Sequence, residues 1–169
     1  MNPNDFHTRY ADELAGVVRI GSGAGLGGSV HFSSETDEWA TPRDFFAKCN
    51  AEFGPFNLDV CATVKNAKVG AFFCKAEDGL KQKWWGKCWM NPPYGREIGK
   101  WMAKAIKESQ RGALVVCLVP ARTDTAWWHD SAAKGEVRFL RGRLKFNDGK
   151  NSAPFPSALV IFRPPNASS

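Results

Sequence analysis

The sequence contains no CxxC pair, and none of its three histidines, His7, His31 and His129, sits beside paired cysteines. Without ligands at metal spacing, no zinc site is expected. The five cysteines, Cys49, Cys61, Cys74, Cys88 and Cys117, are odd in number and lie in apolar contexts. They read as reduced, buried thiols acting as small hydrophobes, not as a disulfide framework. No apolar run approaches the roughly 20 residues of a membrane span. The opening MNPNDFHTRYADELAG carries acids and no apolar core, so no secretory signal is expected and a cytosolic protein is. No internal repeat is present. What remains is 169 residues, 43% hydrophobic and 12% aromatic, enough for one folded core and too apolar for global disorder. The net charge of +6 is compatible with a polyanionic partner without requiring one.

Residues 1–37 are rich in glycine and serine toward their end and read as a flexible arm. Gly23, Gly25 and Gly28 satisfy G-x-G-x-x-G, but the stretch after them, VHFSSETDE, has no helical period. A dinucleotide loop needs a helix there, so a flexible lead-in is the better reading. One ordered domain is expected over 38–165, with a short tail at 166–169. Thr41 suits a helix N-cap, Pro42 the first helical position and Asp44 the positive end of the helix dipole. That helix should stop at Gly54-Pro55. Buried strands are expected at 56–62, 71–74, 87–90 and 113–119, with an amphipathic helix over 97–111 between the last two. A further helix over 126–134 precedes terminal strands at 137–140 and 158–162. The pattern predicts an α/β fold with a doubly wound, mostly parallel sheet and an antiparallel strand at the end.

In such a sheet, ligands bind at the carboxyl ends of the strands. Asp59, Asp78 and Asn91 fall where such ends are expected. Asn91 opens Asn91-Pro92-Pro93-Tyr94, which terminates the strand KCWM. A plain turn needs only Asn-Pro or Pro-Gly; it does not need a ring placed directly after two prolines. Two prolines stiffen the backbone and leave carbonyls as acceptors. The Asn91 side-chain oxygen is another acceptor, and Tyr94 offers a flat ring. Together they suit a planar base with an exocyclic amine: two oxygens accept its N–H groups while the ring stacks on its face. Drawing both hydrogens toward acceptors frees the nitrogen lone pair, which makes the amine a better nucleophile.

These residues carry a resemblance. NPPY is the signature of amino-group methyltransferases using S-adenosylmethionine. The wider pattern resembles the phage-type DNA N6-adenine methyltransferases of the Dam family. The matching pieces are Glu38–Pro42, Leu58–Ala62, Asn66-Ala67, Glu77–Leu80, Trp89–Gly95, Val119–Thr125 and Ala153–Ala158, so the likeness covers roughly 38–163. It implies a methyltransferase-type sheet, S-adenosylmethionine as cofactor, double-stranded DNA as partner and no metal. It further implies catalysis by Asn91, Pro92, Pro93 and Tyr94 on an adenine flipped out of the duplex. Thr41, with the helix start, would hold the cofactor's carboxylate, and Asn91 would contact the cofactor as well as the target base. Asp59 would contact the cofactor from the first strand, Asp78 would accept from its adenine amine, and Asn66 is the candidate for its ribose. Where most such enzymes have a glycine-rich first-strand motif, this chain reads LDVCAT.

For DNA contact, Arg122 and a basic cluster of Arg138, Arg141, Arg143, Lys145 and Lys150 are the candidates. Trp127 and Trp128 read as core or interface residues. No separate target-recognition domain fits in this length, so short loops at 81–87 and 146–155 must read the DNA. Two other functions share parts of the pattern. One is methylation of an RNA amine or a protein glutamine, which uses the same NPPY logic. The other is non-catalytic nucleic-acid binding on a degenerate methyltransferase fold. The oligomeric state has no signal in the sequence.

Overall fold

Seven residues of unbroken apolar character, Leu114–Pro120, form the central strand of a five-stranded sheet. The computed structural model describes residues 39–149 and 151–165. The arm at 1–37, the Gly23–Gly28 pattern, Glu38, Lys150 and the tail at 166–169 lie outside the described residues.

The first described helix, α1, is Arg43–Phe53. Gly54 caps its end by donating its backbone N–H to Asn50 O, as the Gly-Pro stop signal predicts. Thr41 does not cap the other end: Pro42 is the N-cap residue and makes no side-chain cap bond. A residue before proline is held out of the helical region, which moves the start one residue along. Strand β1 is Leu58–Asp59, β2 is Lys87–Met90, helix α2 is Ile98–Gln110 and β3 is Leu114–Pro120. Helix α3, Ala126–Asp130, gives way to a 3-10 turn at Ala132–Lys134, so the helix expected over 126–134 is broken at Ser131. Strands β4, Glu136–Phe139, and β5, Ser157–Phe162, complete the sheet.

The strand order is β1-β2-β3-β5-β4. β1, β2 and β3 run parallel; β5 runs antiparallel to both β3 and β4. β4 therefore points the same way as β3, and β5 alone is reversed. Helices cover both faces. Arg138 lies over Phe53 of α1, 5.0 Å from its ring centre, whereas the next residue, Phe139, stacks on Trp128 of α3. Neighbouring strand residues point to opposite faces, so α1 and α3 flank the sheet on opposite sides. The expected α/β class, parallel start and antiparallel terminal strand are all present.

Two expected strands are shorter than their sequence suggests. Of residues 56–62, only Leu58 and Asp59 form a strand. The Asp59 carboxylate accepts the backbone N–H of Cys61 and of Lys68, while Val60 N–H still reaches Trp89 O and Ala62 N–H reaches Phe73 O, so backbone pairing continues irregularly past the strand end. Of residues 71–74, only Phe72 bridges to Asp59. The Cys74 N–H goes to Glu77 Oε2, closing a turn.

Helix α2 buries Ile98, Trp101, Met102 and Ala105, the face its periodicity predicts. Cys49, Cys88 and Cys117 are buried, and burial pushes their thiols up, to about 11 for Cys49 and about 12 for Cys88. Cys61 and Cys74 depart from the expectation: they are half-buried and line the cavity described next.

Candidate active site

The carboxyl ends of β1 and β2 open into a cavity of about 580 Å³, a size ordinary for a small-ligand site. Asp59 ends β1, and Asn91 follows β2 directly. Thr41, Asn66, Asp78, Pro92 and Pro93 also line the space. Residues assembled from positions 41 to 93 thus converge on one edge of the sheet.

Asn91 is the most constrained of them. Its Nδ2 donates to Trp39 O at 2.5 Å and to Thr41 Oγ1 at 3.0 Å. A carbonyl only accepts, so the amide nitrogen must face Trp39 and the oxygen must face away. Oδ1 is buried and has no hydrogen-bond partner among the described residues. A buried acceptor left unpaired costs stability, and this one is held in place by two donor bonds from the same amide. Thr41 is buried as well. Its hydroxyl positions Asn91 and does not cap α1.

The start of α1 is already engaged. Arg43 N–H donates to Asp148 Oδ1 at 3.3 Å, and Phe45 N–H to Asp44 Oδ1 at 2.8 Å. Asp148 thus places a carboxylate where the sequence suggested a ligand carboxylate. Asn66 closes a local turn: its Oδ1 accepts Thr63 N–H at 2.7 Å, and its N–H donates to Thr63 Oγ1. Asp78 has φ of 54° and accepts Leu80 N–H through Oδ1, while Lys81 Nζ lies 3.4 Å from Oδ2.

Gly79 is required by space. A Cβ there would fall 2.1 Å from Val60 O and 3.1 Å from the Trp101 ring. Backbone cannot yield to it, so Gly79→Ala is expected to cost about 1–3 kcal/mol by overpacking, read as a lower melting temperature.

Asp59 is 2% exposed, and burial raises its carboxyl from 3.8 to about 7, against the lowering pull of the Lys68 and Cys61 N–H groups. Between about pH 4 and 7 the native chain keeps a proton that the unfolded chain releases. Stability from this group is therefore greatest below about pH 4 and falls as pH rises to about 7. Other carboxylates slope the opposite way, so the expected result is a difference. Between pH 4 and 7, the melting temperature of Asp59→Asn should gain relative to the parent; identical profiles would contradict the assignment.

Tyr94 is not in the cavity. Its ring is 4% exposed and its hydroxyl donates to Leu118 O at 3.1 Å. The edges of Phe146 and Phe155 meet it, with centroids 6.0 and 5.5 Å away. The expectation of a ring open to a base is not met in this arrangement, because those two aromatics exclude water from it. Phe155 is the more exposed of the pair.

The DNA candidates divide. Arg122, Arg141, Arg143 and Lys145 are exposed. Arg138 is not available as a phosphate contact: it pairs with Glu52 and Glu136. Trp128 is buried and Trp127 half-buried, as expected. Sequence reasoning missed Trp39, Lys68, Phe73 and Lys75 as cavity residues; only Trp39, inside the matching piece Glu38–Pro42, carried a local signal. Trp101 was legible only as an apolar helix position, yet it lines the cavity too. Among the described residues no three His, Cys, Asp or Glu side chains gather to hold a metal, and no helix is long and apolar enough to cross a membrane.

An α/β sheet with an amide held at the carboxyl end of its second strand narrows the comparison with known proteins. The family model for DNA N-6-adenine-methyltransferase (Dam) matches residues 28–167. The DNA N-6-adenine-methyltransferase of Haemophilus phage HP1 (strain HP1c1) is 32% identical over 141 residues, covering 78% of this chain and 81% of that protein. That of Escherichia phage T1 is 34% identical over 98 residues, 56% of this chain but only 40% of that protein's length. No solved structure matches significantly. The chain belongs to the DNA N-6-adenine-methyltransferase (Dam) family.

Proposed function

We propose that the chain transfers a methyl group from S-adenosylmethionine to the N6 amine of adenine in double-stranded DNA, on a methyltransferase-type sheet. Family membership supports the reaction. The observation that carries it to particular residues is the buried, unpaired Asn91 Oδ1 at the edge of the cavity.

The donor set fits the cofactor. Asp59 and Asp78 are acceptors for its amines, Asn66 and Thr63 are polar neighbours for its hydroxyls, and Phe73, Leu80 and Trp101 are apolar walls for a ring. When bound, the cofactor supplies a methyl group on a sulfonium, an electrophile that no side chain provides.

The chain's own part is positioning. Asn91 Oδ1 accepts one N6 hydrogen and the Pro92 carbonyl accepts the other. Both oxygens aim negative charge at a nitrogen that becomes positive as it attacks. The proline pair holds these acceptors rigidly, so little reorganisation is needed at the moment of reaction. The adenine must leave the duplex stack to reach them. Stacking on Tyr94 requires the Phe146 and Phe155 rings that cover it to move when the base arrives. Arg122, Arg141, Arg143 and Lys145 neutralise flanking phosphates.

The test is transfer of labelled methyl to duplex DNA, RNA and protein offered together. Label in DNA alone is expected. Label in RNA or protein would replace the substrate, and binding of DNA without cofactor would replace the enzyme reading.

A further inference from the structure

Two large hydrophobic side chains are exposed among the described residues, Val64 and Phe139. Both stand beyond or at the carboxyl end of a strand, Val64 after β1 and Phe139 as the last residue of β4. Phe139 is 66% exposed. One face of its ring lies on Trp128, with centroids 6.1 Å apart and planes 20° apart. Trp128 is itself buried and meets Trp127 edge-on. The ring is thus held on a fixed support while its other side meets water, an arrangement that suits a flat partner.

Strand register places Phe139 relative to the cavity. Met90 pairs with Cys117, so Asn91 follows at the level of Leu118. Val119 pairs with Ala158, and Ala158 with Phe139. Phe139 therefore stands one residue farther along the same edge than Asn91. Three strand spacings separate them sideways, about 15 Å. That is about four base-pair steps of a duplex. Arg122 comes two residues after Pro120 and Arg141 two after Phe139, on neighbouring parts of this edge. Arg122, Arg141, Arg143 and Lys145 are exposed and form no ion pair among the described residues. An isolated exposed aromatic is ordinary; one fixed on a buried tryptophan, on the same sheet edge as the cavity and on an edge that also carries exposed cations, suits nucleic acid.

We propose that Phe139 enters the base stack of duplex DNA about four base-pair steps from the target adenine and stabilises the distorted duplex from which that adenine has left the helix. The inference rests on the DNA adenine reading above. Apolar side chains inserted at a base step partly unstack it and open the duplex. The surrounding cations hold the phosphates on either side, so the ring is presented to the bases and not to bulk water.

The test uses the full chain, with Phe139→Ala and Phe139→Leu, at a site first mapped in duplex DNA methylated by the parent. Each protein is assayed on that duplex and on the same duplex with the target adenine opposite an abasic site, where leaving the stack costs less. On the paired duplex, Phe139→Ala is expected to lose about tenfold or more in kcat/KM, the scale of a lost base–aromatic stack. On the abasic duplex most of that loss should disappear, and Phe139→Leu, which keeps an apolar wedge, should stay near the parent on both. Equal losses on the two duplexes, or no loss on either, would overturn the role of Phe139. No transfer by the parent to any DNA would instead overturn the adenine reading, and this shows before any variant is compared.

Discussion

Asn91→Ala is expected to lower methyl transfer by about 10²–10³-fold, the scale of removing one preorganised acceptor or donor from a reacting centre. Cofactor affinity should change far less, because the cavity wall at Asp59, Asp78 and Trp101 does not touch the deleted amide. The variant loses two things at once: the free Oδ1 and the Nδ2 bonds to Trp39 and Thr41. Asn91→Asp separates them. It keeps an acceptor, but a carboxylate cannot donate to the Trp39 carbonyl, so repulsion there should displace the group. Its activity is expected to lie between that of the parent and that of Asn91→Ala. Thr41→Val, which removes only the supporting hydroxyl oxygen, should cost less than either. Full turnover by Asn91→Ala, measured at saturating cofactor, would contradict the mechanism.

Glu108→Ala is expected to have the largest effect on stability. Glu108 sits on α2 with 0% exposure. Its Oε1 accepts from Lys104 Nζ at 2.8 Å and from Arg111 at 3.2 Å, and its Oε2 accepts Trp84 N–H at 3.2 Å. Lys104 is itself only 13% exposed and lies over the Trp84 ring at 5.8 Å. Deleting the carboxylate strands a nearly buried ammonium and a buried backbone N–H together. Breaking such a pair costs about 3–5 kcal/mol. For a chain of this size that corresponds to a fall of roughly 6–20 °C in melting temperature. Glu108→Gln, which can still accept from Trp84 N–H, should lose less. Glu108 and Lys104 do not line the cavity, and Trp84 reaches it only through Gly79 O and the Trp101 ring, so cofactor affinity measured below the melting transition should change less than the melting temperature. A melting temperature within a degree or two of the parent for Glu108→Ala would show that the network contributes little.

These two residues also mark how far the sequence could be read. Asn91 was legible because its neighbours are so restrictive: two prolines and a tyrosine after a strand leave few structural purposes. Strand β3 and helix α2 were legible from unbroken apolar character and from helical periodicity. Glu108, by contrast, reads as an exposed acid near a helix end, since nothing local shows that Trp84, 24 residues earlier, brings its backbone N–H to the carboxylate. The same limit applies to Thr41, which has the composition of a cap but serves Asn91, 50 residues away. Asp59 reads as a strand-end acid, yet its carboxylate accepts an N–H nine residues ahead. Tyr94 shows the limit most plainly. Its place after two prolines predicts an open ring, while the Phe146 and Phe155 rings that cover it come from a segment more than 50 residues later. Long-range partners decide each of these cases, and local pattern does not encode them.

The most direct measurement is mass spectrometry of nucleosides released from unmethylated duplex DNA after incubation with the protein and isotopically labelled S-adenosylmethionine. The account predicts labelled N6-methyldeoxyadenosine, absent when Asn91→Ala replaces the parent. Unlabelled deoxyadenosine throughout, or label on another base, would contradict it.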